Sequence, residues 1–97
     1  MTRLTAAEIS AALAALPGWT LRDGKLHRDY VFADFVHAFG FMATAALAIE
    51  ARQHHPEWRN SWNRVSIDLT THDAGGVTAR DTELAHLLES LATRLLA

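Results

Sequence analysis

A chain of 97 residues fits one small domain, and 49% hydrophobic with 21% charged residues is a globular composition rather than a disordered one. A net charge of -2 with histidines neutral, and basic residues scattered along the chain, give no electrostatic footprint for nucleic acid. The absence of cysteine excludes disulfides, cysteine-ligated zinc and a thiol nucleophile together. Met1-Thr2-Arg3-Leu4-Thr5 lacks the apolar stretch of a signal peptide, and no apolar run reaches membrane-span length. The expected location is therefore the cytoplasm, without membrane or nucleic-acid partners. A core of this size is modest, so association with a second copy would add stability.

Thr5-Ala6-Ala7-Glu8 reads as a capping box, with Leu4 and Ile9 placed for a hydrophobic staple. Ile9, Ala12, Leu13 and Leu16 form the apolar stripe of a first helix that Pro17-Gly18 ends. Trp19 to Arg22 and Lys25 to Phe32 have strand character, and Asp23-Gly24 between them is a two-residue hairpin signal. Leu26, Arg28, Tyr30 and Phe32 share one face of the second strand. Arg28 interrupts that apolar face and is read as lying near a sheet edge.

Asp34 can cap a long helix from Phe35 to His54. Phe35, Phe39, Met42, Ala46 and Ile49 are its expected stripe, widened by Val36, Ala43 and Leu47, while Phe41, Ala45 and Ala48 put apolar atoms on further sides. Such a helix is more apolar than one sheet face requires, so it is expected to pack against another element or a second subunit as well. Glu57 to Trp62 is either a separate strand or one bent at Asn63. Val65, Ile67 and Leu69 alternate with polar residues, so one face of that strand is expected buried and one wet. His72 to Gly76 is a loop, and Thr78-Ala79-Arg80-Asp81 opens a last helix carrying Leu84, Leu87, Leu88, Leu91 and Leu95. The order implies a single α+β domain over 1–97, an antiparallel sheet of three to four strands covered on one face by three helices.

The chemistry concentrates behind the long helix, in Glu50-Ala51-Arg52-Gln53-His54-His55-Pro56. His72 lies seventeen residues beyond His55, in Thr71-His72, and Asp81 nine residues after that. Histidine both gives and takes protons near neutral pH, so three imidazoles gathered with carboxylates suit acid–base chemistry. Glu50 and His54, four apart, would share a helix face, with the carboxylate orienting the imidazole. His55 precedes proline and is pushed out of the helical region, so the two rings diverge. Each residue alone has a structural explanation: a helix-end histidine, a stop signal, a loop residue, a helix cap. The combination is what points to a site.

That combination resembles the pterin-4a-carbinolamine dehydratase family. The shared pattern is Glu50, His54-His55-Pro56, Trp58, Trp62-Asn63, Thr71-His72 and Asp81, with Gly18-Trp19, Arg28, Phe32, Asp34-Phe35 and Gly75-Gly76 also in agreement. It spans nearly the whole chain. Trp62 departs from the family's usual tyrosine, which bears on a packing or hydroxyl contact rather than on activity.

The resemblance implies dehydration of 4a-hydroxytetrahydropterin to quinonoid dihydropterin, in the cycle that serves pterin-dependent hydroxylases. It implies no metal and no organic cofactor. His54, His55 and His72 would line the pocket, with His54 and His72 as the acid–base pair and His55 serving binding or the other stereoisomer. Glu50 would orient His54, Asp81 would orient a histidine or hold the ring, and Trp58 would form a wall against the pterin. Pro56 and Thr71 belong to the same motif. A homodimer or homotetramer, built through the long helix or the sheet edge, is expected. Two other classes stand beside this one. Glu50, His54, His55 and His72 offer zinc ligands, although the divergent pair lacks the i, i+4 spacing of a zinc helix. A binding module without catalysis is the other, since animal members of the family also partner a transcription factor. A dehydratase for another pterin would keep the fold and change the substrate.

Overall fold

The structure, a computed structural model, describes residues 2–96. In chain order it contains α1 (Ala6–Ala14), β1 (Thr20–Arg22), β2 (Lys25–Val31), α2 (Phe35–Arg52), β3 (Glu57–Ser61), β4 (Arg64–Leu69) and α3 (Ala79–Leu96), with one 3₁₀ turn at His72–Ala74. The strands form one antiparallel sheet in the order β1-β2-β4-β3. The expected α+β layout is borne out, with four strands.

Local signals set most boundaries. Thr5 and Glu8 form the reciprocal capping box, and Leu4 and Ile9 both pack against the core. Asp23 and Gly24, at φ 52° and 76°, make the tight turn that pairs Arg22 with Lys25. Asp34 caps α2 by accepting from the His37 amide at 2.9 Å. β3 and β4 are separate strands joined by the two-residue turn Trp62-Asn63, with Ser61 paired to Arg64.

The inner sheet face supplies Leu26, Tyr30, Val65, Ile67 and Leu69, buried against Ala38, Phe41, Ala45 and Ile49 of α2 and Leu84, Ala85, Leu88 and Ala92 of α3. Burying a side chain as large as Phe41 stabilises by roughly 1.5–3 kcal/mol. The face α2 turns inward differs from the expected stripe. Phe35, Phe39, Val36 and Leu47 are exposed, while Ala38, Phe41 and Ala45 are buried. A helix apolar on every side carries no unique inward direction. Packing of the Phe41 ring against Tyr30 and Phe32, at centroid distances of 5.5 and 5.2 Å, accompanies the orientation adopted.

Arg28 also corrects its sequence reading: β2 lies inside the sheet, between β1 and β4. Its guanidinium lies over the Tyr30 ring at 4.4 Å, and Nε is 3.8 Å from Glu89 Oε1 of α3. Glu89 also accepts hydrogen bonds from Trp19 Nε1, at 3.1 Å, and from the Tyr30 hydroxyl. An arginine on a half-buried face requires such a counter-charge. Burial, then the hydrogen bond to Glu89, pushes the Tyr30 phenol well above its ordinary range. Gly18 sits beside this network at φ 89°, where a Cβ would lie 2.6 Å from the guanidinium carbon.

The outer sheet face is polar but not wholly wet, because Ser66 and His27 are buried on it. His27 Nδ1 lies 2.8 Å from Asp68, and its Nε2 lies 3.1 Å from Asp29 and 3.3 Å from Arg22. Burial alone would lower the His27 pKa, but the hydrogen bonds to Asp68 and Asp29 outweigh it and raise the value.

Two outcomes test this packing. Gly18→Ala and Gly24→Ala both place a side chain at positive φ, at a cost of about 1–2 kcal/mol each. Only Gly18→Ala also meets the arginine and must move its head group off Tyr30, so urea unfolding should show a somewhat larger loss for it than for Gly24→Ala; a smaller loss contradicts the close approach. His27 has a raised native pKa, so its stabilisation is full below its ordinary value of 6.5 and is lost as pH rises through the native value. Asp29, held low first by the Ser66 hydrogen bond, runs the other way and loses its contribution as pH falls through its native value. Urea midpoints of the wild type should therefore fall from pH 6 to pH 9 relative to His27→Gln, and parallel profiles contradict the pairing.

Candidate active site

The site is assembled where three chain segments meet: the end of α2, the segment after β4 and the first turn of α3. α2 stops two residues earlier than its apolar pattern indicates. Gln53 adopts a left-handed conformation (φ 52°, ψ 38°) as its C-cap, so His54 lies beyond the helix. The Gln53 side chain donates to the Glu50 carbonyl at 2.9 Å and to its carboxylate at 3.0 Å, and Arg80 donates to the Gln53 carbonyl at 2.8 Å.

That early end overturns the expected pairing of Glu50 with His54, since the two no longer share a helix face. Glu50 Oε1 instead lies 2.9 Å from His55 Nε2. The hydrogen bond from His55, then that from Gln53, holds the exposed Glu50 carboxyl below its ordinary range. His54 Nε2 lies 2.6 Å from Asp81 Oδ1.

Asp81 is fully buried. Its second oxygen accepts from the Thr71 hydroxyl and from the Thr78 amide, each at 2.8 Å. Both carboxylate oxygens are thus used. The expected helix cap at Thr78 and Asp81 and a histidine-holding role for Asp81 occur together, because the carboxylate has two faces. With Nε2–H donated to Asp81, Nδ1 is the His54 nitrogen left to accept or deliver a proton.

His54, His55 and His72 border one open cleft of ≈ 240 Å³, together with Gln53, Thr70, Thr71, Asp73 and Arg80. The His54 side chain is 10% exposed, that of His55 58% and that of His72 77%, and the nearest carboxylate oxygen to His72 is Glu57 Oε2 at 3.9 Å. The cleft thus has one buried, pinned imidazole and two exposed ones. Pro56 and Trp58 do not line it; Trp58 packs against the core from β3. Gln53, Thr70, Asp73 and Arg80 join the cleft without having been singled out in the sequence. Arg80 could have been found, as the residue before Asp81 in a first helical turn. Two larger cavities, of ≈ 510 and ≈ 520 Å³, contain none of the three histidines, so side-chain chemistry rather than volume identifies the site. Among the described residues, no group of three or more histidine, aspartate or glutamate side chains converges closely enough to hold a metal ion.

Comparison with known proteins gives one consistent set of relatives. Residues 2–91 match the family model described as pterin 4 alpha carbinolamine dehydratase. A protein of Solibacter usitatus, provisionally named pterin-4-alpha-carbinolamine dehydratase, is 60% identical over 94% of this chain and 96% of its own. One of Rhodopseudomonas palustris with the same provisional name is 53% identical over 96% of this chain and 94% of its own. A crystal structure from Brucella melitensis, described as a transcriptional coactivator/pterin dehydratase, superposes with a TM-score of 0.90 at 47% identity, covering 94% of this chain and 99% of that one.

The buried carboxylate has a measurable weight. Asp81→Ala leaves the Thr71 hydroxyl, the Thr78 amide and His54 without their acceptor, at about 1–3 kcal/mol for each buried group orphaned. Urea unfolding should show a loss of about 2–4 kcal/mol for Asp81→Ala, the partners recovering part of the sum by relaxation. Exposed Glu50→Ala should leave the midpoint nearly unchanged. Equal effects of the two substitutions contradict the arrangement.

Proposed function

The chain belongs to the pterin-4a-carbinolamine dehydratase family, and from that premise we propose that it removes water from 4a-hydroxytetrahydropterin to give quinonoid dihydropterin. The observation that carries the reading is the meeting of three imidazoles at one cleft, one of them fixed by a buried aspartate. The hydroxyl on C4a leaves as water once a proton reaches it. The lone pair on the adjacent N5 forms the new C4a=N5 bond, and the N5 proton goes to a base. The balance is one water lost, with no oxidant or reductant.

In this reading His54 and His72 exchange the two protons, and His55 serves binding or the other stereoisomer at C4a. Asp81 positions His54 by accepting from Nε2, so that Nδ1 is the reacting nitrogen. Thr71 positions Asp81 in turn. Glu50 positions His55 rather than His54. Arg80, at the cleft wall, supplies a hydrogen-bond donor for the polar edge of the pterin. General acid–base assistance of this kind is worth about 10²–10⁴-fold.

We further read the protein as a cytoplasmic component of tetrahydrobiopterin recycling that works as a homodimer or homotetramer. The exposed Phe35, Val36, Phe39 and Leu47 of α2 support self-association, because an apolar row of this kind is favourable only when covered.

The assay follows the ultraviolet absorbance of the 4a-hydroxypterin as it decays with and without protein. His54→Ala and His72→Ala should each lower kcat by about 10²-fold or more while the far-ultraviolet circular dichroism stays that of the wild type. Wild-type turnover in both variants refutes the assignment.

A further inference from the structure

The open face of the sheet carries a second cavity that the dehydratase reading leaves unused. Its volume is ≈ 510 Å³, and it is bordered by Arg22 of β1, Asp29 of β2, Arg59 of β3, Arg64 and Ser66 of β4, and Trp62 of the β3–β4 turn. None of these residues borders the histidine cleft. The register explains the gathering. Asp29, Ser66 and Arg59 stand abreast across β2, β4 and β3, and Arg64 is two residues from Ser66 on the same face. Arg22 reaches in from β1, its guanidinium 3.3 Å from His27 Nε2.

The charge pattern here is unbalanced. The carboxylates on this face are already engaged: Asp68 by His27, Asp29 by Ser66 and His27, and Glu57 by Lys25. Among the described residues, no carboxylate oxygen lies within 4.0 Å of the Arg22, Arg59 or Arg64 guanidinium. Asp29, held low first by Ser66 and in part by Arg64, offsets one of the three guanidinium groups, so the cavity keeps an excess of positive charge, and each guanidinium presents a fork that fits a phosphate or carboxylate.

Trp62 adds the second half of a recognition surface. It is 67% exposed and held at φ 48°, a backbone conformation that bulky residues avoid. The turn is fastened on both sides. Asn60 donates to the carbonyls of Trp62 and Arg64, at 3.0 and 2.8 Å, and Asn63 donates to the Phe32 carbonyl at 3.0 Å. An indole so fixed contributes little to the core. Beside the arginines it offers a face on which a flat ring can stack.

We propose that this outer sheet face binds a small aromatic anion of the mononucleotide class, with the phosphate on Arg59, Arg64 and Arg22 and the base on Trp62. Three arginines and one indole match one nucleotide; they are too few to track a strand of nucleic acid. The site stands apart from the proposed dehydration, and neither depends on the other.

The probes are AMP, inorganic phosphate and adenosine, titrated calorimetrically into the whole protein at low salt, with amide ¹H–¹⁵N spectra to locate the site. AMP should bind at least about 10-fold more tightly than either fragment, because the fork contacts and the stacking act on one ligand. Arg59→Ala/Arg64→Ala should weaken both AMP and phosphate. Trp62→Ala should weaken AMP by about 5-fold or more and leave phosphate unchanged. Added salt should weaken AMP binding, and 4a-hydroxypterin turnover should be unaltered in all these variants. The wild-type amide map stands as an independent readout should a variant fail to fold. Absence of AMP binding at millimolar concentration overturns the proposal. So do equal affinities for AMP and phosphate, indifference to the double arginine substitution, shifts confined to the His54–His72 cleft, or a change in oligomeric state without any AMP binding.

Discussion

The site depends on one buried carboxylate. Asp81 has no solvent contact, so an ionised group there is tolerable only if each oxygen is matched. The matching comes from three directions: the ring of His54 after α2, the hydroxyl of Thr71 after β4 and the amide of Thr78 at the start of α3. Removing the charge from water thereby fixes the end of α2 against the segment that runs from β4 into α3, 27 residues on. The cleft is the gap left at their junction. A group that caps the start of a helix and a group that holds an imidazole are here the same side chain.

The rest of the fold serves this junction by keeping its parts at fixed angles. α2 and α3 pack on the inner face of the sheet through Phe41, Ile49, Leu84 and Leu88, so the end of one helix and the start of the other come to the same rim. Glu89, about two turns farther along α3, ties that helix to Trp19, Tyr30 and Arg28 through a second polar network. The two networks occupy different parts of α3, the first supporting the cleft and the second the sheet. On the opposite side of the sheet the residues are free of this task, and there a cationic cavity with its own character has room to exist.

Much of the architecture was legible in the sequence because its signals are local. Thr5 with Glu8, Asp23-Gly24, Asp34 and Pro56 each act through the few residues around them. What was not legible needed tertiary information. The inward face of α2 is not legible in a helix apolar on all sides, so the pattern favours Phe35 and Phe39 where the fold buries Ala38 and Ala45. The helix end could not be read either, because Gln53 takes the left-handed cap without being glycine. Those two residues decide the pairing in the site: with His54 outside the helix, Glu50 meets His55 and Asp81 meets His54. The gathering of His54, His55 and His72 follows from the family pattern, and Arg80 from its place before Asp81 in a first helical turn, whereas Gln53 emerges only from the geometry. The place of Arg28 is hidden for a related reason, since the counter-charge of Glu89 that lets an arginine sit on an inner strand is invisible at a separation of 61 residues.

The central claim is that a pterin occupies the cleft between the three imidazoles. The most direct measurement is the imidazole ¹H–¹⁵N spectrum of the protein titrated with 7,8-dihydrobiopterin, a stable relative of the substrate. Saturable shifts in the ring signals of His54, His55 and His72, with those of His27, His37 and His86 unmoved, are the predicted result. Saturable binding that leaves the signals of His54 and His72 in place would contradict the account.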